Sequence, residues 1–230
     1  MFRLLGYILA LIFLAGIAYA VYVFVPRGPV LSVATLNATS SESGMEMKTE
    51  VIYGNTDTYR IEVHYPQFGI PSVDAKIKSV VDNAIATFKE YPANPPDMAS
   101  PQNELMGSFD AVYVGPDIVS VELSLSEYTG GAHPNTAIIG VNVDRTTGKE
   151  LSLDDALAMI GKDLPQVAEE SLKELKATLG ADLIAPEGAR AMPENYSVFL
   201  VSKDKVTFVF NNYQVAPYSS GPQEVWFARR

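Results

Sequence analysis

The stretch "VSVELSLSEYTGGAHPNTAIIGVNVD", residues 119–144, carries the strongest signal for the fold. Apolar and polar residues alternate from Val119 to Leu125 and again from Ile139 to Val143. A period of two is typical of half-buried β-strands, because successive side chains point to opposite faces of a sheet. We therefore predict two strands, joined by a segment that contains two glycines, a histidine and a proline.

Outward from this stretch, the chain mixes further strands with helices. Residues 59–65 alternate in the same way, whereas residues 73–88 and 164–179 place apolar side chains at helical spacing. Ser152 is a suitable cap for one more helix, and residues after Val198 indicate a hairpin and a last short strand. This order predicts an α+β fold with a mainly antiparallel sheet packed with a few helices, preceded by one N-terminal transmembrane helix.

That transmembrane helix is predicted from residues 4–25, which contain 22 residues without a charge. At about 1.5 Å per residue, such a helix can cross the hydrocarbon core of a bilayer. Arg3 precedes the segment, so we expect a single-pass anchor with the bulk of the chain extracytoplasmic. The alternative is a secreted protein, since Ala18-Tyr19-Ala20 also fits a signal-peptide cleavage site.

Composition narrows the classes of partner. The 230 residues include no cysteine, which excludes disulfides, thiolate zinc sites and a cysteine nucleophile. The formal charge of −10 argues against nucleic acid as a ligand and is compatible with a cationic partner. Residues 28–44, rich in small polar side chains, are predicted to be a linker that follows the anchor in residues 1–27.

Two loop segments are the candidate site. The first follows the strand that ends near Glu127, and the second, residues 211–225, combines two tyrosines with prolines and a glycine. We predict that both lie at the same end of the sheet and form one surface, although tight turns without a binding role are the alternative. The candidate ligand-binding residues are Glu127, Tyr128, His133, Asn135, Tyr213, Pro217 and Tyr218, and the structural glycines are Gly130, Gly131 and Gly221.

Common catalytic patterns are absent from the sequence. It has no glycine-rich phosphate loop, no G-x-S-x-G elbow and no paired-histidine zinc motif. Its two histidines, His64 and His133, are far apart in sequence, and His64 falls on the polar face of a predicted strand. We expect no metal, no cofactor and no enzymatic activity.

Three quoted segments resemble a known family. "YTGGAHPNT", "VDRTTGKELSLDDAL" and "NNYQVAPYSSGPQEV" are similar to the C-terminal domain of RsiV-like extracytoplasmic proteins, a domain also found in the peptidoglycan deacetylase PdaC. The preceding part of the chain, with "YRIEVHYPQFG", resembles the domain that usually comes before it. The resemblance implies an N-terminal part over residues 45–110 and an RsiV-like domain over residues 111–230.

The resemblance also implies a function. It points to a membrane-anchored binding or sensory module for a cell-envelope component, either a glycan or a lysozyme-like cationic protein, without catalysis. The alternative is a small hydrolase acting on envelope polymers through Glu127 and His133, since a close carboxylate–imidazole pair can transfer protons.

Overall fold

Six strands form the larger of two sheets. The computed structural model describes residues 32–40, 46–95 and 102–230. The strands lie in chain order, and each neighbouring pair is antiparallel except β3 and β4, which are parallel. They are β1 (Ser32–Ser40), β2 (Glu46–Asn55), β3 (Tyr59–Gln67), β4 (Asn103–Val114), β5 (Ile118–Tyr128) and β6 (Asn135–Asp144).

Helix α1 (Pro71–Phe88) lies between β3 and β4 in the chain. It returns the chain to the end of the sheet at which β3 begins, so β4 runs parallel to β3. One stripe of the helix is buried against one face of the six-stranded sheet, beside strand residues such as Val63 and Leu123. Its buried residues, spaced by three or four, are Val73, Ile77, Val81, Ile85 and Phe88.

The smaller sheet has its own helices. Its strands are β7 (Phe199–Val201), β8 (Lys205–Phe210) and β9 (Gln223–Ala228), all antiparallel. Helices α2 (Leu153–Ile160) and α3 (Leu164–Leu179) bury their apolar side chains against one face of this sheet. The predicted cap at Ser152 is confirmed, since its hydroxyl accepts the amide of Asp155 in a capping box.

The other face of the smaller sheet packs on β5 and β6. Gly140 allows this approach, because a Cβ there would collide with the carbonyl oxygen of Phe199. Two buried polar side chains join the sheets: the Asn142 Nδ2 donates to the Phe199 carbonyl at 2.7 Å, and Ser120 accepts the Val201 amide at 2.9 Å. These bonds satisfy polar groups that would otherwise be buried without partners.

The predicted α+β class, with antiparallel strands and a few helices, is confirmed. The prediction of one mainly antiparallel sheet needs correction, because there are two sheets and one parallel pair. The predicted linker, residues 28–44, also needs correction, since Ser32–Ser40 within it form β1 and pair with β2. Strand pairing uses backbone groups, so a segment of small polar residues can still occupy the edge of a sheet.

The predicted boundary between residues 110 and 111 falls inside a strand. β4 (Asn103–Val114) pairs with β3 on one side and with β5 on the other, so the larger sheet continues across that position. The predicted membrane anchor, residues 4–25, lies outside the described residues. Within residues 32–40, 46–95 and 102–230, no helix is both long enough and apolar enough to span a bilayer.

Candidate functional site

The loop between β5 and β6 takes its shape from glycine. Gly130 and Gly131 have φ angles of 93° and 125°, values that favour glycine over residues with a Cβ. The Tyr128 hydroxyl donates to the carbonyl oxygen of Gly131 at 3.2 Å and braces the turn. The chain then presents His133 as an exposed side chain just before β6.

The loop between β8 and β9 contains a second unusual backbone position. Tyr213 has φ 67°, the one positive value for a non-glycine residue in the described part of the chain. A bulky residue in this region is strained by on the order of 1 kcal/mol or more. Pro217 is extended and precedes a 3-10 turn over Tyr218–Ser220, which Gly221 ends with φ 68°. The three glycines predicted to be structural therefore all have positive φ angles.

The two loops meet in one group of rings. The imidazole of His133 stacks on the ring of Tyr218 with 3.9 Å between centroids and 22° between planes. The ring of Tyr213 lies 6.4 Å from the His133 ring and 5.6 Å from the Tyr218 ring. We call His133, Tyr213 and Tyr218 the aromatic cluster. The prediction that the loops form one surface is confirmed, although the loops belong to different sheets.

Hydrogen bonds connect the members of the aromatic cluster to each other and to the backbone. The Nδ1 of His133 lies 2.8 Å from the Pro134 carbonyl oxygen, which can only accept, so Nδ1 carries the proton. Nε2 lies 3.2 Å from the Tyr213 hydroxyl, within hydrogen-bond distance. The Tyr218 hydroxyl donates to the same Pro134 carbonyl at 3.0 Å. With both nitrogens occupied, the imidazole presents its ring rather than a free base.

Two asparagines that the sequence prediction missed hold the second loop against β6. The side chain of Asn211 accepts the amide of Ile138 at 2.7 Å and donates to its carbonyl at 3.1 Å. Asn212 donates to the carbonyl of Thr136 at 3.1 Å. Because β6 is an edge strand, these amides take the place of a neighbouring strand. The paired asparagines directly after β8 are the signal that could have identified them.

Glu127 and Asn135 line a groove whose lining includes no member of the aromatic cluster. As predicted from strand parity, Glu127 shares the α1 side of the sheet with Leu125, and both line a groove of about 390 Å³ with Asn135. The Tyr91 hydroxyl donates to the Glu127 carboxylate at 3.3 Å, and this negative charge raises the pKa of Tyr91.

The expected proximity of Glu127 and His133 is not observed. Within the described residues, no hydrogen bond or ion pair joins these two side chains. Their separation follows from the strand: Glu127 still belongs to the ladder of β5, opposite Asn135, whereas His133 lies in the loop beyond it. The described segments also contain no group of three or more His, Asp or Glu side chains that could hold a metal ion.

Two family models match different parts of the chain. Residues 52–136 match a model described as deacetylase PdaC, and residues 154–229 match one described as a protein of unknown function, DUF3298. His133 falls in the first match, and Tyr213 and Tyr218 fall in the second. The aromatic cluster therefore joins the two matched parts.

Curated relatives give the same picture. The chain is 27% identical to the peptidoglycan-N-acetylmuramic acid deacetylase PdaC of Bacillus subtilis over 193 residues, which cover 78% of this chain and 41% of that protein. It is 29% identical to the immunogenic protein MPT64 of Mycobacterium tuberculosis over 110 residues, 48% of each protein. The chain thus spans less than half the length of these relatives. The predicted resemblance is supported for PdaC, whereas the narrower resemblance to RsiV stays a prediction.

A solved structure supports the fold. The crystal structure of a DUF3298 family member from Bacteroides fragilis superposes with a TM-score of 0.51 at 17% sequence identity, covering 87% of this chain and 88% of the other. At this identity the likeness concerns the fold alone.

Proposed function

We propose that this chain is an extracytoplasmic binding module for a component of the bacterial cell envelope, and that the aromatic cluster is its contact surface. The observation that carries the proposal is the stack of the exposed His133 ring on the half-buried ring of Tyr218, which fixes rings from two loops in one arrangement. Rings held in place before binding lose little conformational entropy when a partner arrives. Tyrosine also offers both an apolar face and a hydroxyl to a ligand.

One relative supports the proposal that the partner is a component of the cell envelope. PdaC is named as a deacetylase of peptidoglycan, which is an envelope polymer, and the matched segments cover most of this chain. Both a glycan and a cationic protein of the lysozyme type are compatible with the surface. Aromatic rings stack on either, and the formal charge of −10 favours a cationic protein over an anionic one.

A binding role without catalysis is supported by the hydrogen bonds of His133. Its two ring nitrogens are engaged by Pro134 and Tyr213, and the nearest predicted acid, Glu127, is bonded to Tyr91 instead. General acid–base catalysis requires a donor or acceptor within hydrogen-bond reach of the substrate proton. The cluster offers stacking surface and hydroxyls in place of such a pair.

The apolar segment over residues 4–25 supports a membrane location. We propose that it anchors the module and leaves the remaining residues on the extracytoplasmic side. The full chain should then sediment with membranes and resist extraction by carbonate, but dissolve in detergent. Recovery of a shortened chain in the growth medium would instead favour a cleaved signal peptide.

The binding proposal is tested by two titrations of the full chain in detergent. One measures co-sedimentation with purified insoluble peptidoglycan, and the other measures binding to a lysozyme as the cationic probe. Tyr213→Ala should weaken whichever interaction occurs by roughly tenfold, because a ring held near the centre of a contact contributes more than 1 kcal/mol.

The matched control is Tyr91→Ala. Tyr91 is 43% exposed and lies beside α1, whereas Tyr213 is 54% exposed in the cluster. Equal loss of binding in both variants, or no binding by the unaltered chain to either probe, would contradict the proposal.

A further inference from the structure

The face of the larger sheet opposite α1 contains a shallow depression. It crosses β3, β4 and β5 and has a volume of about 350 Å³, within the range of small-molecule sites. Strand parity places its side chains on this face, since the intervening residues Ile61 and Val63 are buried under α1. The depression is lined mainly by Arg60, Glu62, His64, Met106, Ser108 and Ser124.

A cross-strand row runs through this depression. Residues paired in register from β2 to β6 place five side chains side by side on one face. We call this set the open-face row; its members are Tyr53, Glu62, Met106, Ser126 and Thr136. Four steps between neighbouring strands span roughly 19 Å.

The row has an aromatic ring at one end and reaches the aromatic cluster at the other. Tyr53 is 42% exposed. At the far end the Thr136 hydroxyl donates to Ser126 at 3.0 Å, and the Thr136 carbonyl accepts from Asn212, the residue before Tyr213. The row is therefore continuous with the surface to which binding is assigned above.

The polar centre of the depression is balanced in charge. Glu62 accepts from Arg60 at 3.2 Å through one oxygen and from His64 Nε2 at 3.2 Å through the other. Hydrogen bonds from His64 and Arg60 lower the pKa of Glu62, so it is a carboxylate at neutral pH. All three side chains are between 34% and 40% exposed, so donors of Arg60 and acceptor sites of Glu62 still face solvent.

Hydroxyl groups complete the lining. Ser108 and Ser124 are opposite each other on β4 and β5 and both line the depression. Among the described residues, neither hydroxyl has a hydrogen-bond partner. Each can donate one bond and accept two. The depression thus offers donors and acceptors together, beside the apolar side chain of Met106.

We infer that the depression binds a neutral, hydroxyl-rich sugar unit of a glycan, which continues along the open-face row toward the aromatic cluster; this inference rests on the proposed function and names its ligand class. A sugar hydroxyl needs a donor and an acceptor at once, which this mixed lining supplies. The carboxylate of Glu62 would repel an anion, and the guanidinium of Arg60 would repel a cation. A neutral ligand avoids both repulsions, and hydrogen bonds to these charged groups are stronger than neutral ones.

Methyl NMR on the full chain in detergent tests the inference. The probe is a tetrasaccharide of N-acetylglucosamine, which is neutral and carries hydroxyl and amide groups. Titration should move the methyl resonance of Met106, which lines the depression, and leave those of Met159 and Met192 unchanged. Met159 packs beside the second sheet and Met192 is exposed in a loop; neither lines the depression, so both serve as internal references.

Three variants test which side chains form hydrogen bonds with the tetrasaccharide. Ser108→Ala and Ser124→Ala should each weaken tetrasaccharide binding by roughly three- to tenfold, the effect of one lost hydrogen bond. Glu62→Gln should weaken it at least as much, because the charge-assisted acceptor is lost. Ser79→Ala, on the exposed face of α1, is the matched control and should bind like the unaltered chain. Since the hydroxyls of Ser79, Ser108 and Ser124 have no hydrogen-bond partner among the described residues, the three serine variants should unfold at unchanged temperatures.

The outcomes separate this inference from the proposed function. A Met106 resonance that does not move, or serine variants that bind the tetrasaccharide as well as Ser79→Ala does, would overturn the inference. If lysozyme still bound and Tyr213→Ala still weakened it, the proposed function would stand with a protein ligand. Sugar affinity should also change less than about twofold between low and high salt, because a neutral ligand is not screened; strong salt dependence would point to a charged ligand and against this inference.

Discussion

The ring of His133 lies 3.9 Å from the ring of Tyr218, although one residue precedes β6 in the larger sheet and the other precedes β9 in the smaller one. This contact joins the two parts of the chain that match separate family models. The two rings come from separate loops, and the Tyr218 hydroxyl also donates to the Pro134 carbonyl of the first loop. Their stack depends on the packing of the two sheets.

Replacement of Tyr218 separates stacking from hydrogen bonding. Tyr218→Phe keeps the ring on His133 and loses only the bond to the Pro134 carbonyl, so it should bind the proposed envelope ligand within about threefold of the unaltered chain. Tyr218→Ala removes the ring and should weaken binding by more than about tenfold. Calorimetric titration measures both. If Tyr218→Ala lowers the melting temperature but keeps full affinity, Tyr218 stabilises the turn and does not contact the ligand.

Glycine at position 131 should be required by the backbone alone. A Cβ there would meet no atom within 4 Å, but φ is 125°, a value that residues with side chains rarely adopt. Gly131→Ala should therefore reduce the free energy of unfolding by about 1 kcal/mol or more. Urea denaturation measures this change. A variant as stable as the unaltered chain would mean that the loop adopts another conformation in solution.

Gly140→Ala should disturb the contact between the sheets. Its Cβ would meet the carbonyl of Phe199, and a backbone atom cannot move aside as a flexible side chain can. We expect a loss of about 1–3 kcal/mol in the free energy of unfolding. The control is Ala137→Ser, which lies on the opposite face of β6 and should change stability by less than about 0.5 kcal/mol. Similar losses in both variants would argue against this sheet contact.

Asn211 should contribute more to stability than Asn212. Asn211→Ala removes two hydrogen bonds to Ile138 and leaves its amide and carbonyl without protein partners, whereas Asn212→Ala removes one bond to Thr136. We expect the first variant to lose about 1–3 kcal/mol and the second about half as much. Chemical denaturation gives the values, and proteolysis should cut the loop after β8 faster in Asn211→Ala. The reverse order of stabilities would contradict the role assigned to Asn211.

Alkaline pH should destabilise the fold through Tyr196. Its buried hydroxyl donates to the Ala189 carbonyl at 2.8 Å, and burial raises its pKa from 10.0 to about 12. Because the folded-state pKa is the higher one, the stabilisation is complete below pH 10 and is lost as the pH rises toward and through 12. Melting temperatures measured across this range should fall less steeply for Tyr196→Phe. Parallel curves for the two proteins would show that other tyrosines account for the loss.

Several features of the fold and site could be predicted from the sequence because they depend on neighbouring residues. The alternation of apolar and polar residues predicted β3, β5 and β6, and apolar residues at helical spacing predicted α1 and α3. The side of the sheet that Glu127 faces followed from strand parity, and the positive φ angles of Gly130, Gly131 and Gly221 followed from turn chemistry. Each of these depends on dihedral preferences or on periodicity within a few residues.

The tertiary structure alone decided which strands pair and which side chains meet. The parallel pair of β3 and β4, the inclusion of β1 in the larger sheet and the division into two sheets depend on backbone hydrogen bonds between distant segments. Every residue type except proline can make such backbone bonds, so no pattern of side chains in the sequence indicates which strands pair. The same reason applies to the site: His133 meets Tyr218 rather than Glu127, because the packing of the sheets at Gly140 and the bonds of Asn211 to β6 place one loop over the other.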